Sequence, residues 1–593
     1  MINRWNEHLK NHPYLAAAVL ATVTLIIYSG SLANGFVSDD EHQIVENVLM
    51  RNPRGWLRIL EGPAQAPLKA AVRSNFYRPL HLFSCWLVYR VAGPNPTAFQ
   101  LFHLLIYAAT VTLVYGIGRE LLQNDLAAFL GAFLWALHPL HVEAVAWIAS
   151  LCDAGFGFFY LLAFLLFLRA EKASGGGLAA HRLAALAFFL ALFFKEMALS
   201  FPLLVLAYWF FIPQKEDWRR RAAAWIPYLV AAGAYLAIRR IELGFLSFAP
   251  HFWKISLAAV EAAVGMLGEH ARLFFWPLHL NVFRTFEIAS SLRSPWPWLA
   301  ILALLGLLWV RKRESGAGFL VTWWAVALSP CLDIRQLNFP VVADRYSYIP
   351  SVGPCLAISS FALIWIPQRY PRARPHRFVL PVLGLVMLFW GIQTVRAIPN
   401  WRSNETLLGY SLRQSPNAAL LHVSQALLLQ FRHGDLDAAS REYETALQLN
   451  QASLRPLVSV TYDSYLGLGQ IAYRRGRTEE AIEFFERAIR VSPGDSPAYD
   501  YLGSLCFPKG DYTKAAEYFA KAVTVNPFDL GAHFYLGTCW MKLGKYRQAA
   551  EQFHTLVEID PNDPAAREAE ARALEAAGDA AGAAKVRSLV EKP

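Results

Sequence analysis

The chain has 593 residues, of which 55% are hydrophobic and only 17% are charged, whereas soluble globular proteins carry roughly 25% charged residues. This balance, with a mean hydropathy of +0.29, excludes a purely soluble protein, a disordered chain and a nucleic-acid-binding domain. The formal net charge of +10 is uneven, because residues 1–396 carry 34 Lys and Arg against 21 Asp and Glu, whereas residues 397–593 carry 21 against 24. In a membrane protein, such an excess is typical of basic cytoplasmic loops.

The first part of the chain contains many apolar stretches that are long enough, or nearly so, to cross a hydrocarbon core, which takes about 20 residues. The predicted spans are 13–33, 98–118, 125–138, 154–168, 183–194, 197–212, 223–238, 295–310, 317–332, 347–366 and 378–396. The segment 255–280 contains Glu261, Glu269 and Arg272, and we predict an interfacial or re-entrant helix there. We therefore expect an all-α fold with about 11–13 membrane helices in this part of the chain.

Basic residues between the predicted spans indicate how the chain is oriented. The positive-inside rule places these basic loops in the cytoplasm: 169–182, 215–221, 311–313 and 369–377. With the N-terminus also inside, the segments expected outside are 34–97, 138–153, 195–196, 239–294, 333–346 and everything after residue 397. Outside here means the periplasm, the cell exterior or a lumen.

The second part of the chain repeats with a period of 34 residues. The residues that recur at this spacing are Gly469, Gly503 and Gly537, Gly476, Gly510 and Gly544, Ala481, Ala515 and Ala549, Phe485, Phe519 and Phe553, and Pro493, Pro527 and Pro561. This period and pattern match the tetratricopeptide repeat, a helix–turn–helix unit. The predicted units are 417–450, 459–492, 493–526 and 527–560, followed by a polar capping helix over 563–590. Such an array usually binds a partner on its concave face, with self-association or a spacer role as the alternative.

Three consecutive acids, Asp39, Asp40 and Glu41, follow the first predicted span directly. Acids are costly near hydrocarbon, and a solvated helix end explains them as well as a functional site does. The functional interpretation is a general base, a metal ligand or both, and oxygen ligands of this kind suit Mg²⁺ or Mn²⁺. The same loop carries basic residues that suit phosphate oxygens: Arg51, Arg54, Arg58, Lys69, Arg73 and Arg78.

Other ionisable residues lie on the external side near the ends of the predicted spans. His138 and His141 would share one helical face, but Pro139 disturbs that helix, and a zinc site needs three or four ligands. Asp153 stands at the start of a span, where it either caps the helix or shares a divalent ion with Asp39 or Asp40.

Lys195 and Glu196 interrupt the apolar stretch 183–212. An ionisable pair at membrane depth is a functional hypothesis by default, and a mutual ion pair at a helix turn is the equally weighted alternative. In a third external segment, Arg345 is placed to hold a phosphate near the membrane surface. Its neighbour Tyr346 belongs to a type that is common at membrane interfaces.

Five short motifs together resemble the transmembrane-and-TPR-repeat family of O-mannosyltransferases and their bacterial relatives. The motifs are Gly35-Phe36-Val37-x-Asp39-Asp40, Tyr77-Arg78-Pro79-Leu80, His138-Pro139-Leu140-His141-Val142-Glu143-Ala144-Val145 continuing to Asp153, Lys195-Glu196, and Asp344-Arg345-Tyr346-x-Tyr348-Ile349-Pro350. Their order, their topology and their fusion to repeats make the resemblance specific, and it covers nearly the whole chain. One departure is Leu151-Cys152, because many relatives carry Arg or Lys near Asp153.

The resemblance implies a GT-C-type membrane glycosyltransferase that takes a polyprenyl-phosphate-linked sugar and works on the external face. It implies that Asp39 or Asp40 is the catalytic base and that Asp153 is a second acid. Asp40 and Asp153 are the candidate ligands for Mg²⁺ or Mn²⁺, although not every relative needs a metal. The residues expected to bind the donor phosphate or the substrate are Arg78, His138, His141, Glu143, Lys195, Glu196, Arg345 and Tyr346.

The sequence thus predicts a mannose-like hexosyltransferase that acts on Ser or Thr hydroxyls of exported proteins, with repeats that bind the acceptor or a partner. We expect a GT-C-like transmembrane domain over 1–396, a linker over 397–416 and a repeat domain over 417–593. We expect a bacterial inner membrane or an ER-like membrane, with the active site and repeats on its extracytoplasmic side. The alternatives are a related transferase that modifies a lipid or surface glycan, and a membrane scaffold without catalytic activity.

Overall fold

The computed structural model describes residues 2–61, 76–172, 178–212, 218–243, 256–284, 286, 288–310, 315–332, 342–370, 376–453, 456–527, 529–559 and 563–588. Over these residues the chain forms helices joined by turns and loops, and no strand occurs among them. This confirms the predicted all-α fold. Lys69, Arg73 and much of the predicted cytoplasmic loops lie outside the described residues.

The described chain divides into two compact units, the first ending at Pro416 and the second beginning at Asn417. The helices of the first unit are α1 (Ile2–Asn11), α2 (Pro13–Tyr28), α3 (Val48–Arg51), α4 (Gly55–Glu61), α5 (Pro79–Ala92), α6 (Pro96–Leu122), α7 (Asp125–Leu137), α8 (Val142–Ala146), α9 (Leu151–Lys172), α10 (Leu178–Phe194), α11 (Phe201–Phe211), α12 (Trp218–Leu243), α13 (Leu257–Phe275), α14 (Ile288–Arg293), α15 (Trp296–Val310), α16 (Ser315–Leu328), α17 (Val352–Ser360), α18 (Ile366–Arg369), α19 (His376–Ala397) and α20 (Asn404–Gln414).

Within the described residues, five helical segments are long and apolar enough to cross a membrane: Pro13–Ala33, Pro96–Leu122, Ile148–Lys172, Trp218–Leu243 and Arg377–Trp401. A bent pair, Asp125–Leu137 with Pro139–Ala146, makes a sixth if it counts as one span. Shorter apolar helices cover Ala179–Phe194, Glu196–Phe211, Trp296–Gly306 and Gly316–Cys331. The chain is therefore an integral membrane protein, while the number of spans and the membrane position of 255–280 stay predictions.

Helix breaks in the first unit determine where the candidate site residues lie. Helix α7 ends at Leu137, and the chain bends by 54° before the next helical segment, because Pro139 has no N–H and its ring clashes with a continuing helix. Lys195 is extended (φ −159°, ψ 133°) between α10 and the 3₁₀ turn that precedes α11. The helix of the predicted span 347–366 begins late, because Pro350 disfavours α-helical backbone at the residue before it and α17 begins only at Val352.

The second unit consists of helix pairs. Its helices are α21 (Ala419–Leu428), α22 (Leu436–Ala452), α23 (Val458–Arg474), α24 (Thr478–Val491), α25 (Pro497–Cys506), α26 (Tyr512–Val525), α27 (Leu530–Lys542), α28 (Tyr546–Ile559), α29 (Pro564–Ala576) and α30 (Ala580–Ser588). Gly510 ends one helix with a left-handed φ of +78°, a backbone conformation that glycine adopts without steric cost. A Cβ on Gly503 would lie 2.8 Å from the Phe519 ring, which is why the smallest residue recurs at this contact.

The predicted single capping helix over 563–590 is wrong, because this segment forms two helices, α29 and α30. Gly578 separates them with a φ of +87°. It lies 34 residues after Gly544, so it continues the spacing of the repeat glycines. The C-terminal segment is therefore a further helix pair of the array.

Candidate functional site

The acidic loop after α2 is held in place by Asp40. The Asp40 carboxylate is buried, and its Oδ2 accepts a hydrogen bond from the Val37 amide at 2.9 Å while its Oδ1 accepts one from the Ala149 amide at 2.6 Å. Burial raises the pKa of Asp40 well above its usual value, although both amide bonds act to lower it. Asp40 thus ties the acidic loop to the segment between α8 and α9.

Asp39 differs from its neighbour in exposure and in hydrogen bonding. It is exposed, and within the described part of the chain it has no hydrogen-bond or ion-pair partner. A carboxylate of this kind is available to accept a proton from a hydroxyl that approaches it from solvent. The structure therefore distinguishes Asp39 from Asp40, which the sequence left as alternatives for the catalytic base.

Three ion pairs with little solvent exposure join helix breaks that are far apart in sequence. Lys195 Nζ lies 2.5 Å from Asp153 Oδ1. Arg78, the residue before α5, donates from Nε and Nη2 to the two carboxylate oxygens of Glu196 at 3.1 and 2.6 Å. Arg345 pairs with Glu143 through its guanidinium, and its backbone amide donates to Glu143 Oε2 at 2.9 Å.

Tyr346 and Cys152 bring these three pairs into one cluster. The Tyr346 ring lies 5.4 Å from Lys195 Nζ and 5.2 Å from the Arg345 guanidinium carbon. The Cys152 sulfur lies 3.9 Å from Arg78 Nη1 and 3.5 Å from Asp153 Oδ2. We call Arg78, Glu143, Asp153, Lys195, Glu196, Arg345 and Tyr346 the cationic cluster.

The charges of the cationic cluster cancel, because each of its three cations has one carboxylate partner. Burial lowers the pKa of Arg78, but the charge and hydrogen bonding of Glu196, together with Cys152 and Asp153, raise it above the usual value, so Arg78 is a cation. A guanidinium carries five N–H donors, and Glu196 accepts from only two nitrogens of Arg78. The cluster can therefore offer further N–H donors to an anion such as a phosphate.

Trp147 connects the acidic loop to the cationic cluster. Its indole Nε1 donates to the Val37 carbonyl at 3.2 Å, and the Arg345 guanidinium carbon lies 5.3 Å from its ring centre. The sequence motif from His138 to Asp153 includes Trp147, but we predicted no function for it from the sequence. Its contacts are with Val37 and Arg345, which lie 110 and 198 positions away in the sequence. No local pattern shows such contacts.

His138 and His141 lie in the core of the first unit. Both side chains are fully buried. His138 contacts the Phe274 carbonyl through Nε2 and the Leu140 amide through Nδ1, and His141 contacts Ser351 and Tyr107 through its two ring nitrogens. All four ring nitrogens are engaged, so this geometry gives the two histidines a structural role and offers no support for the predicted substrate contact.

The predicted metal ligands do not fit a divalent ion. Both oxygens of Asp40 accept amide hydrogens, and Asp153 is paired with Lys195. Within the described residues, no three His, Cys, Asp or Glu side chains form a group that could hold a metal. A bound ion would have to displace the Lys195 ammonium from Asp153, and a need for Mg²⁺ or Mn²⁺ stays a prediction.

Comparison with known proteins gives matches to both parts of the chain. Residues 77–239 match the family described as dolichyl-phosphate-mannose-protein mannosyltransferase, and residues 425–496 and 509–573 match tetratricopeptide repeats. The first match includes Arg78, Glu143, Asp153, Lys195 and Glu196.

Among the similar proteins is the protein O-mannosyl-transferase Tmtc1 of Drosophila melanogaster, which is 24% identical over 537 residues, 73% of this chain and 61% of that protein. The protein O-mannosyl-transferase TMTC1 of Mus musculus is 34% identical over 160 residues, 26% of this chain and 17% of that protein. The chain thus covers less than two thirds of the length of these relatives. Among solved structures, the crystal structure of MamA protein matches 29% of this chain and 89% of its own, with 22% identity and a TM-score of 0.25.

Proposed function

We propose that this chain, which is homologous to the protein O-mannosyl-transferases and combines a mannosyltransferase domain with tetratricopeptide repeats, transfers a mannose-like hexose from a polyprenyl phosphate to Ser or Thr hydroxyls of exported proteins. The observation that carries the proposal is the presence of an exposed acid together with a set of three cations that are buried or partly buried. Asp39 supplies the acid and the cationic cluster supplies the cations, and Trp147 contacts the acidic loop at Val37 and the cluster at Arg345.

Asp39 acts as the general base in this proposal, because Asp40 is buried and both its oxygens are engaged. The acceptor hydroxyl gives its proton to the Asp39 carboxylate while its oxygen attacks C1 of the hexose. The bond between C1 and the phosphate oxygen breaks, and its electron pair stays on the phosphate. One glycosidic bond forms, one phosphate ester bond breaks, and the proton rests on Asp39.

Arg78, Lys195 and Arg345 stabilise the departing polyprenyl phosphate. Preorganised cations in a site that excludes water stabilise such developing charge strongly. Their carboxylate partners, Glu196, Asp153 and Glu143, keep the cluster neutral and the cations in position before the donor arrives. Tyr346 lies between Lys195 and Arg345 and fixes the position of the two charges.

The repeats have a separate part in this proposal. Tetratricopeptide arrays are protein-interaction modules, and a concave surface built from stacked helix pairs suits an extended polypeptide. We assign them the acceptor protein or a partner that delivers it. The active site and the repeats would both face the extracytoplasmic side, as the distribution of basic loops predicts.

A strain that lacks the gene tests the class of acceptor. Mass spectrometry of exported proteins and of glycolipids is compared between this strain and strains restored with the wild type or with Asp39→Asn. Hexose lost from Ser or Thr peptides and regained only with the wild type supports the proposal. A loss confined to glycolipids would identify a lipid acceptor, and full restoration by Asp39→Asn would point to a scaffold.

A further inference from the structure

We propose that Asn404 is a positioning residue for Asp39, because it holds the strained turn that presents this carboxylate. The inference rests on the proposed function, in which Asp39 is the base. Asn404 is the first residue of α20 and lies 365 positions from Asp39, and no motif in the sequence includes it.

The turn before Asp39 is strained at Ser38. Ser38 has a φ of +55°, one of three positive values at non-glycine residues in the described part of the chain. This left-handed region disfavours residues with a Cβ atom. Such strain persists only where the surroundings impose it, and it is common at functional sites.

Asn404 supplies contacts on both sides of Asp39. Its Oδ1 accepts a hydrogen bond from the Ser38 amide at 2.7 Å, and its Nδ2 donates to Glu41 Oε1 at 3.0 Å. Ser38 and Glu41 flank Asp39 in sequence. The Asn404 side chain therefore fixes the backbone just before Asp39 and the Glu41 side chain two residues after it.

Asn404 is itself held firmly. Ser403 caps α20 through a capping box with Thr406, in which each side chain bonds the backbone amide of the other. Just before the cap, the Arg402 carbonyl accepts a hydrogen bond from the Gly35 amide at 3.1 Å. The start of α20 therefore contacts the acidic loop at Gly35, Ser38 and Glu41.

The opposite side of the loop is fixed by Asp40, whose oxygens accept the Val37 and Ala149 amides. Asp39 is thus the exposed acid of a turn that is held from two sides. Loss of the Asn404 contacts lets Ser38 relax to negative φ and turns Asp39 away from its position. The donor-binding cations are contacted by other residues, so donor binding should not change.

The test measures transfer from a polyprenyl-phosphate hexose to a Ser/Thr peptide with the purified full-length protein. Asn404→Ala should lower kcat about 5- to 30-fold, the factor expected for one relaxed left-handed residue, and leave the donor KM within about twofold. Adding Ser38→Gly should recover most of the lost kcat, because glycine takes positive φ without steric cost. Arg413→Ala, at an exposed position of the same helix, is the matched control and should behave as the wild type.

Hydrogen exchange gives a readout that does not depend on activity. Asn404→Ala should speed exchange over 35–41 and leave the segment 195–200 unchanged. An unchanged kcat, or a kcat that Ser38→Gly fails to recover, overturns the inference. If the wild type transfers no hexose, the proposed function fails, and exchange then decides: faster exchange over 35–41 supports the Asn404 contact, and unchanged exchange overturns it.

Discussion

The Lys195 ammonium lies 2.5 Å from the Asp153 carboxylate, with side-chain exposures of only 5% and 2%. The two residues are 42 positions apart, one at the start of α9 and the other in the break after α10. A buried ion pair adds little net stability, but removal of one partner leaves an uncompensated charge at high cost. The pair therefore allows the structural role of Lys195 to be separated from its proposed role in donor binding.

Lys195→Met should lower the free energy of unfolding by about 3–5 kcal/mol, because it leaves Asp153 charged and buried. Lys195→Met combined with Asp153→Asn should recover most of this stability but should still bind the donor at least about tenfold more weakly, since the cation is gone. Thermal unfolding in detergent and donor binding by equilibrium titration measure the two effects.

Arg119→Gln is the matched control for Lys195, because it breaks the Arg119–Asp125 ion pair between the last turn of α6 and the first turn of α7. It should cost stability without changing donor affinity. Donor binding at wild-type strength in the Lys195→Met, Asp153→Asn double variant would contradict the assignment of Lys195 to the phosphate.

Chelation tests whether hexose transfer requires Mg²⁺ or Mn²⁺. Because the oxygens of Asp40 and Asp153 are already engaged, we expect the transfer rate in excess EDTA to stay within about twofold of the rate with added Mg²⁺ or Mn²⁺. Initial rates measured after dialysis against EDTA, with and without readdition of each ion, decide this. A rate that vanishes in EDTA and returns with one ion would show that the carboxylates rearrange to bind it.

The close contact between Gly503 and the Phe519 ring in the repeats can be tested by substitution. Gly503→Ala places a methyl group 2.8 Å from the Phe519 ring, and overpacking of this kind typically costs about 1–3 kcal/mol. Gly494→Ala has no neighbour within 4 Å of the added methyl and should be nearly neutral. Hydrogen exchange of peptides from 497–525 in the full-length protein measures the difference, and equal exchange in the two variants would show that the contact does not constrain the pair.

Asp500 makes the stability of the repeats dependent on pH. Burial, with the facing carboxylate of Asp529, raises the pKa of Asp500 to about 8 from 3.8. Folding therefore takes up a proton between about pH 4 and pH 8, so stability falls as pH rises through this window and levels off above it. Asp500→Asn should remove this dependence and stabilise the repeats by roughly 1–2 kcal/mol at pH 9.

Hydrogen exchange over 497–542, corrected for the intrinsic effect of pH on exchange, compares the wild type and Asp500→Asn at pH 6 and pH 9. The wild type should lose protection between the two values and the variant should not. Equal loss in both proteins would mean that Asp500 is already ionised at pH 6.

The sequence predicted the parts of the fold that depend on local spacing. The 34-residue period predicted the helix pairs, and Gly510 ends its helix in the left-handed conformation that the repeat requires. Pro139 and the Lys195–Glu196 pair predicted breaks in apolar stretches, and the structure has both. The second helix of the terminal pair was missed because only Gly578 and Ala583 continue the 34-residue spacing there, while Ala571 and Arg587 replace the recurring Gly and Phe.

The candidate site was predictable only as a set of residue types. The sequence named Asp153, Lys195 and Arg345, but it could not show which carboxylate neutralises which cation, because these pairs form only when α8, α9, α10 and the 344–347 turn pack together. For the same reason it could not separate Asp39 from Asp40. Asn404 left no local signal, since its partners lie more than 360 residues away.

Transfer by the Asp39→Asn variant tests the central claim most directly. Purified full-length protein is given a polyprenyl-phosphate mannose and a Ser/Thr peptide, and the glycopeptide is quantified for the wild type, Asp39→Asn and the control Glu46→Gln, an exposed acid of the same loop. We predict that Asp39→Asn binds the donor normally but transfers at least about 100-fold more slowly, while Glu46→Gln matches the wild type. Transfer by Asp39→Asn at the wild-type rate would contradict the account.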